Sequence, residues 1–431
     1  MLTPGQIVSL AIDKPAAGGR MIARLGGQIV LVSGAIPGES VRARIERIAK
    51  HVGYAESVDI EQPSPDRRPF ADPQCGGCLY GHISYPRQLA LKSDVIDDAF
   101  RRIGRLPLPP VAVAPSPEDG YRMRARFHVR GRRLGFFREG THHVCDARQT
   151  RQLLPATCDV IDELSAVVQS LGLDAIREIE LTENLDATER VVCLDAASDI
   201  PDGAAERLGG TRGLTGLVSA CASSGQPHVV DRIAVSDEGS VALRWHVLSF
   251  FQGNRHLLSD FVRHVVGQVP EASRALDLYA GVGLFALGAA AARGADVIAV
   301  EGDRYAAADL ASNASAAAGS VKAVHQPVED FLRGARRRER PSTVIVDPPR
   351  TGMSAEALEG LIALGAERLI YVSCDVATLA RDSRRLVDAG YAIERADGFD
   401  LFPNTPHVET VVVFTGPSTS AQLPGTPRTE A

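Results

Sequence analysis

The stretch Arg368 to Asp382, RLIYVSCDVATLARD, constrains the chain more than any other. Arg368 to Val372 is an aliphatic and aromatic run of the kind found in strands covered on both faces, and Val376 to Leu386 has helical spacing. A strand buried on two sides running into a helix predicts an open, mostly parallel α/β sheet. Ser373-Cys374-Asp375 is then a loop at the carboxyl end of a strand, the rim where such sheets bind ligands. A lone cysteine can equally be a small buried hydrophobe, so the thiol needs support from elsewhere in the chain.

At 431 residues the chain can form two or three domains. Hydrophobic residues at 45% and charged residues at 23% describe an ordinary soluble protein, and no apolar run is long enough to cross a bilayer. The start, MLTPGQIVSLAIDKP, lacks the basic and apolar parts of a secretion signal, so a cytoplasmic protein is expected. Seven scattered cysteines do not suggest a disulfide framework. The net charge of -6 excludes a chain basic all over, leaving a local patch as the way to hold nucleic acid. YRMRARFHVRGRRLGFFR, Tyr121 to Arg138, is such a patch: arginines, among them Arg122, Arg124 and Arg126, bind phosphate, and the interleaved aromatics can stack on unpaired bases. A strand pair with a solvated basic face reads the same way.

Residues 1–62 read as a small β-barrel with four short strands separated by Gly18-Gly19, Gly26-Gly27 and Pro37-Gly38. Residues 63–114 form a linker with Cys75-Gly76-Gly77-Cys78 and a helix. Residues 115–245 read as an α+β domain. From 246 to 416, apolar strands alternate with alanine-rich helices, the pattern of a doubly wound sheet. The Pro, Ser, Thr and Gly of residues 417–431 predict a disordered tail.

Several signals fall on the rim that carries Cys374. Asp277-Leu278-Tyr279-Ala280-Gly281-Val282-Gly283 is a glycine turn between strand and helix, and Glu301 ends the next strand, where an acid can take both ribose hydroxyls. A dinucleotide site has similar spacing, but Ala286 stands where its third glycine would be. Asp347-Pro348-Pro349-Arg350 breaks the sheet abruptly and leaves a carboxylate that can orient a base through an N–H, or merely cap a helix. Glu409 opens the last strand and can reach the same pocket, although an isolated Glu is more often exposed. Phe250, Phe251, Gln252 and Asn254 combine ring faces for stacking with amides for a cofactor's polar end.

In order and spacing, SFFQGN, LDLYAGVGLFAL, VEGD, DPPRTG, VSCDVATLARD and FPNTPHVETV are similar to motifs of the RNA uracil-5 methyltransferase family. GGRMIARLGGQIVLVSGAIPGESVRARI resembles a TRAM domain, an OB-like RNA-binding module. The resemblance implies a Rossmann-like class I methyltransferase domain with an N-terminal OB-like barrel and an α+β central domain. It implies S-adenosyl-L-methionine as cofactor and rRNA or tRNA as partner; with no membrane-spanning run, a monomer away from membranes is expected. By position it implies Cys374 as nucleophile, Glu409 as base and cofactor contacts at Gln252, Tyr279, Glu301, Gln326 and Asp347. Phe250, Asp347, Arg122, Arg124 and Arg126 are the expected RNA contacts.

Three departures stand out. Asn-Pro, usual after the nucleophile, is Asp375-Val376, and an acid beside the thiol is expected to raise its pKa. Many members hold an iron–sulfur cluster on four cysteines; here only Cys75 and Cys78 match, with no cysteine near Pro69 or between Gln149 and Gln152, so neither a cluster nor any other metal is expected. Leu284 replaces an asparagine of the glycine turn. An RNA-binding or RNA-folding protein with weakened catalysis, and a cytosine-5 methyltransferase, are the alternative readings.

Overall fold

The computed structural model describes residues 2–70, 72, 74–131, 133–197, 200–201, 203–220, 222–317, 320–334 and 341–417. Five strands, Ile7–Pro15 (β1), Met21–Leu25 (β2), Gln28–Ser33 (β3), Ser40–Ala49 (β4) and Val52–Gln62 (β5), close into a barrel. Val30, Val32, Val41, Ala43 and Ala55 fill it, all fully buried. The sequence reading places four strands here. The fifth, VGYAESVDIEQ, has too few apolar residues to declare itself alone, and becomes a strand by pairing parallel to β3 and antiparallel to β4.

The following segment is more than a linker. Arg67 reaches back to the buried Glu39 of the barrel at 2.6 Å. Tyr85–Ala99 (α1) carries the buried Lys92 to Asp400, and Val113–Ala114 (β6) joins the edge of the large sheet described below. Cys75 is disulfide-bonded to Cys145, contrary to the expectation of unpaired cysteines, and Cys78 is a buried thiol. These partners are 70 residues apart in sequence, and backbone bonds between residues 74–76 and 137–139, with β8 pairing β9, bring them together.

The central domain contains Arg124–Arg130 (β7), Arg133–Phe137 (β8), Val144–Asp146 (β9), Pro155–Ser170 (α2), Ile176–Glu183 (β10), Arg190–Ala196 (β11), Ala204–Gly209 (α3), Gly216–Val218 (β12) and Ser223–Gly225 (β13). Its sheet order is β13-β12-β11-β10-β7-β8-β9. Ala125 and Phe127 point into its core, whereas Arg124, Arg126, His128 and Arg130 lie on the opposite face, half-buried or exposed.

The hairpin His228–Ala234 (β14) and Ser240–His246 (β15), which the sequence reading assigns to the central domain, packs on the C-terminal α/β unit. Its buried face, Val229, Ile233, Leu243 and Trp245, shares a core with Leu258–Gly267 (α4) and with Leu284 to Leu287 of the helix that follows the first α/β strand. An alternating hairpin needs a second layer to cover its apolar side, and this layer comes from the C-terminal α/β domain.

That domain runs Arg274–Leu278 (β16), Leu284–Arg293 (α5), Asp296–Glu301 (β17), Arg304–Ala316 (α6), Val321–His325 (β18), Val328–Gly334 (α7), Thr343–Val346 (β19), Ala355–Leu364 (α8), Arg368–Ser373 (β20), Val376–Asp388 (α9), Ala392–Phe399 (β21) and Glu409–Thr415 (β22). The order is β18-β17-β16-β19-β20-β22-β21-β6, parallel from β18 to β20, with β22 antiparallel to both β20 and β21. Alternate residues feed two cores: Ile345, Ile370 and Val372 on one side, Val344, Leu369 and Tyr371 on the other. This is the double cover that the apolar run of β20 implies. Among the described residues no helix is long and apolar enough to cross a membrane. Except for Pro417, the expected disordered tail lies outside the described residues.

Candidate active site

Strand register brings the rim residues to one level. Leu278 pairs with both Val300 and Val346, so Tyr279, Glu301 and Asp347 leave three adjacent strands side by side. Val346 pairs with Tyr371, and Ser373 lies opposite Thr410, which sets Cys374 beside Glu409 across the β20–β22 pair. The Gln326 amide donates to the Glu301 carbonyl at 2.9 Å and extends the row to the sheet edge. The row straddles the point between β16 and β19 where the chain reverses its direction of winding, the usual crevice of such sheets.

The glycine turn is built for close approach. Gly281 has φ +55° and lies 4.0 Å or more from anything its missing Cβ would meet, so a ligand can reach its backbone. At Gly283, φ +96°, a Cβ would lie 2.3 Å from Leu287, so the helix can start here only with glycine. Glu301 accepts the amides of Gly281 and Asp303, each at 2.7 Å, which fixes its carboxylate facing the turn. An open backbone cradle beside a fixed acid fits the adenosine and amino-acid parts of S-adenosylmethionine.

Gln252 is buried and donates to Asp347 at 3.3 Å. Burial pushes the Asp347 carboxyl up to about 7, with the Gln252 bond opposing. Glu409 is buried as well, and desolvation together with nearby Asp347 raises it well above the usual carboxylate range, while Arg350 pulls it down. The Cys374 thiol is pushed up to about 12 by burial and by Glu409; the nearby Arg350 guanidinium lowers it and the Asp347 charge raises it further. The proton therefore stays on sulfur near neutral pH, and Arg350 is the cation that favours its release.

Asp375, the departure beside the thiol, turns away to cap α9: its carboxylate accepts the Thr378 amide at 2.8 Å. Glu409 and Asp347, from other strands, are the acids that raise the thiol. Asp347 does not cap the next helix, a role taken by Ser354, which accepts the Ala357 amide at 3.1 Å. Asn254 is structural: its amide donates to Ser116 and the Leu401 carbonyl, and its oxygen accepts the His256 and Leu257 amides.

Of the expected RNA contacts, Phe250 is 62% exposed, with the Arg124 guanidinium 5.8 Å from its ring. Phe251 instead stacks on buried Trp245 at 4.5 Å. Arg124 also pairs with Glu180 at 2.7 Å, and exposed Arg126 lies 3.6 Å from the same carboxylate. Arg122 points into the scaffold: it donates to Gln152 and to the Arg124 carbonyl, both at 2.7 Å, and covers the Phe136 ring at 4.9 Å. Sequence reasoning missed the influence of Arg350 on Cys374, which no local pattern announces. Cys75 and Cys78 lie away from this rim, in the central-domain core. With Cys75 disulfide-bonded to Cys145, they do not fit a four-thiolate cluster.

Comparison with known proteins finds relatives over nearly the whole chain. The family model described as tRNA (Uracil-5-)-methyltransferase matches residues 223–416, and that of the TRAM domain matches residues 2–58. The chain is 33% identical to the 23S rRNA (uracil(1939)-C(5))-methyltransferase RlmD of Pseudomonas putida, over 95% of this chain and 94% of that protein. It is 33% identical to the RlmD of Methylococcus capsulatus, over 95% and 97%, and 30% identical to an uncharacterized RNA methyltransferase of Thermotoga maritima, over 94% and 98%. In fold it is similar to the Pyrococcus abyssi tRNA (uracil-54, C5)-methyltransferase, solved with S-adenosyl-L-homocysteine, at TM-score 0.76 and 23% identity, covering 94% of this chain and 99% of that one. Near-complete coverage at a third identity, together with the TRAM barrel and the rim just described, shows that the chain belongs to the S-adenosylmethionine-dependent RNA uracil-C5 methyltransferase family.

Proposed function

We propose that this protein methylates carbon 5 of a uridine in ribosomal RNA through a covalent adduct between Cys374 and carbon 6 of the base. The placement of Cys374 and Glu409 on paired strands, with Asp347 one strand further on, carries the reading. The relatives described as acting on 23S rRNA, at 33% identity, favour ribosomal over transfer RNA.

Carbon 5 of uracil is a weak nucleophile. Attack by the Cys374 sulfur on carbon 6 forms an S–C6 bond and moves the ring electrons toward the carbon 4 oxygen, which makes carbon 5 electron-rich. S-adenosylmethionine supplies the electrophilic methyl group. Glu409 then takes the carbon 5 proton, and the S–C6 bond breaks to restore the double bond and release the thiolate. Asp347 holds the ring through its N–H, and Gln252 fixes Asp347. Arg350 beside the sulfur stabilises the thiolate before attack and after release.

The base must leave its stack, which costs a few kcal/mol and is cheapest in a loop. Phe250 offers an exposed ring face beside Arg124, and Arg124 and Arg126 lead away from it along the outer face of β7. The protein would act as a monomer in the cytoplasm, where its substrate is.

Labelled S-adenosylmethionine with unmodified ribosomal or transfer RNA tests the assignment. Label should appear in methyluridine, preferentially from rRNA, and be absent with Cys374→Ala. Transfer surviving that substitution would remove Cys374 from the reaction, and label in methylcytidine would replace uridine as substrate.

A further inference from the structure

Asp382 lies on α9, the helix that follows the nucleophile, and its carboxylate is 1% exposed. It meets three donors from three parts of the chain. Tyr371, on β20 three residues before Cys374, donates its hydroxyl at 2.8 Å, Arg381 donates Nε at 2.8 Å, and the Met353 amide donates at 3.2 Å. Met353 ends the turn that starts with Asp347-Pro348-Pro349-Arg350. Arg381 fastens the same turn from above, its Nη2 reaching the carbonyls of Thr351 and Met353, each at 3.4 Å.

The turn rests directly on the helix. Gly352 has φ +74°, and a Cβ there would lie 2.7 Å from Arg381 Nη2, 2.9 Å from Thr378 Cβ and 3.0 Å from the Asp382 carboxylate. The Gly352 amide donates to Pro349 at 2.8 Å and closes the turn. One end of this unit is Asp347, and in its middle is Arg350, whose charge favours the Cys374 thiolate.

A buried carboxylate bonded to an arginine adds little net stability, because desolvation offsets the attraction. What it supplies here is a fixed distance between two rim segments that no sheet hydrogen bond joins. We propose that Asp382 is a positioning residue: it locks the 349–353 turn to the helix of the nucleophile, so that Arg350 and Asp347 hold a constant register against Cys374. The inference rests on the assignment of Cys374 as nucleophile, but Asp382 itself touches neither RNA nor cofactor.

Asp382→Asn keeps the shape and removes the charge. The protein should still fold and bind S-adenosylhomocysteine with unchanged affinity. Its kcat should fall about a hundredfold, the scale of a 1 Å misplacement, with KM for RNA within about threefold. Alkylation of Cys374 by iodoacetamide, followed by peptide mass spectrometry without RNA, should slow about tenfold at each pH, because the cation beside the thiol is no longer held there. Mere loosening of the fold would expose the thiol and speed alkylation. A folded variant with kcat within threefold and unslowed alkylation overturns the proposal. Should Asp382→Asn not fold, Tyr371→Phe, which removes one donor, must slow alkylation in the same direction or the proposal fails. Absence of methyl transfer by the wild type would instead refute the assigned reaction, while the alkylation comparison still decides the role of Asp382.

Discussion

Asp347 accepts a hydrogen bond from Gln252 at 3.3 Å, joining a loop upstream of the first catalytic strand to a turn 95 residues later. The contact brings the Gln252 side chain of the SFFQGN segment onto the rim carboxylate, and it opposes the burial that raises the Asp347 carboxyl to about 7.

A pH dependence follows. Ionised Asp347 is the form that accepts an N–H, and thiolate is the form of Cys374 that attacks, so both groups favour activity at higher pH. Initial rates on saturating RNA should rise from pH 6 to pH 8. A flat or falling profile would exclude Asp347 as the orienting group.

The same carboxyl costs stability. Its folded pKa lies above the ordinary 3.8, so between about pH 4 and 7 the folded state holds a proton that the unfolded state has lost, and stability declines as pH rises. Asp347→Asn should therefore melt higher than wild type at pH 8, lose that advantage near pH 4, and be inactive. Scanning calorimetry at the two pH values reads the difference.

The cap on α9 predicts that Asp375 acts on the helix and not on the thiol. Asp375→Asn retains an acceptor for the Thr378 amide and should leave kcat within about threefold, whereas Asp375→Ala should lose about 1 kcal/mol of stability. Denaturant midpoints and turnover for the two variants separate these effects.

Arg255, just after the SFFQGN segment, enters the central domain and pairs with Glu183, which is fully buried and also bonded to Arg190 and Thr157. Glu183→Gln leaves two guanidinium groups without a carboxylate and should cost roughly 3–5 kcal/mol. The guanidinium midpoint should drop, and the affinity for S-adenosylhomocysteine should weaken through the displaced loop. An unchanged midpoint would show that the clamp carries no interdomain load.

Phe250→Ala tests the exposed ring face beside Arg124. Loss of one stacking face is worth about 1–3 kcal/mol of RNA binding. KM for RNA should rise accordingly, with no change in cofactor affinity, since Phe251 and Gln252 keep the loop in place.

The local alternation of apolar strands, glycine turns and helices determined the doubly wound sheet and the rim residues Tyr279, Glu301, Asp347, Cys374 and Glu409. Each lies at or just beyond the end of a strand whose apolar pattern is complete in itself. The tertiary structure alone decided what depends on which strands become neighbours: the pairing of β5 into the barrel, the β14–β15 hairpin on the catalytic core, Arg122 turned into the scaffold, and the bond from Cys75 to Cys145. It also decided that Asp375 caps its own helix while acids from β19 and β22 raise the thiol. Hydrophobic periodicity is written over a few residues, whereas charges and thiols act on whatever the folded chain brings within a few ångströms, and that distance is set by register across the sheet.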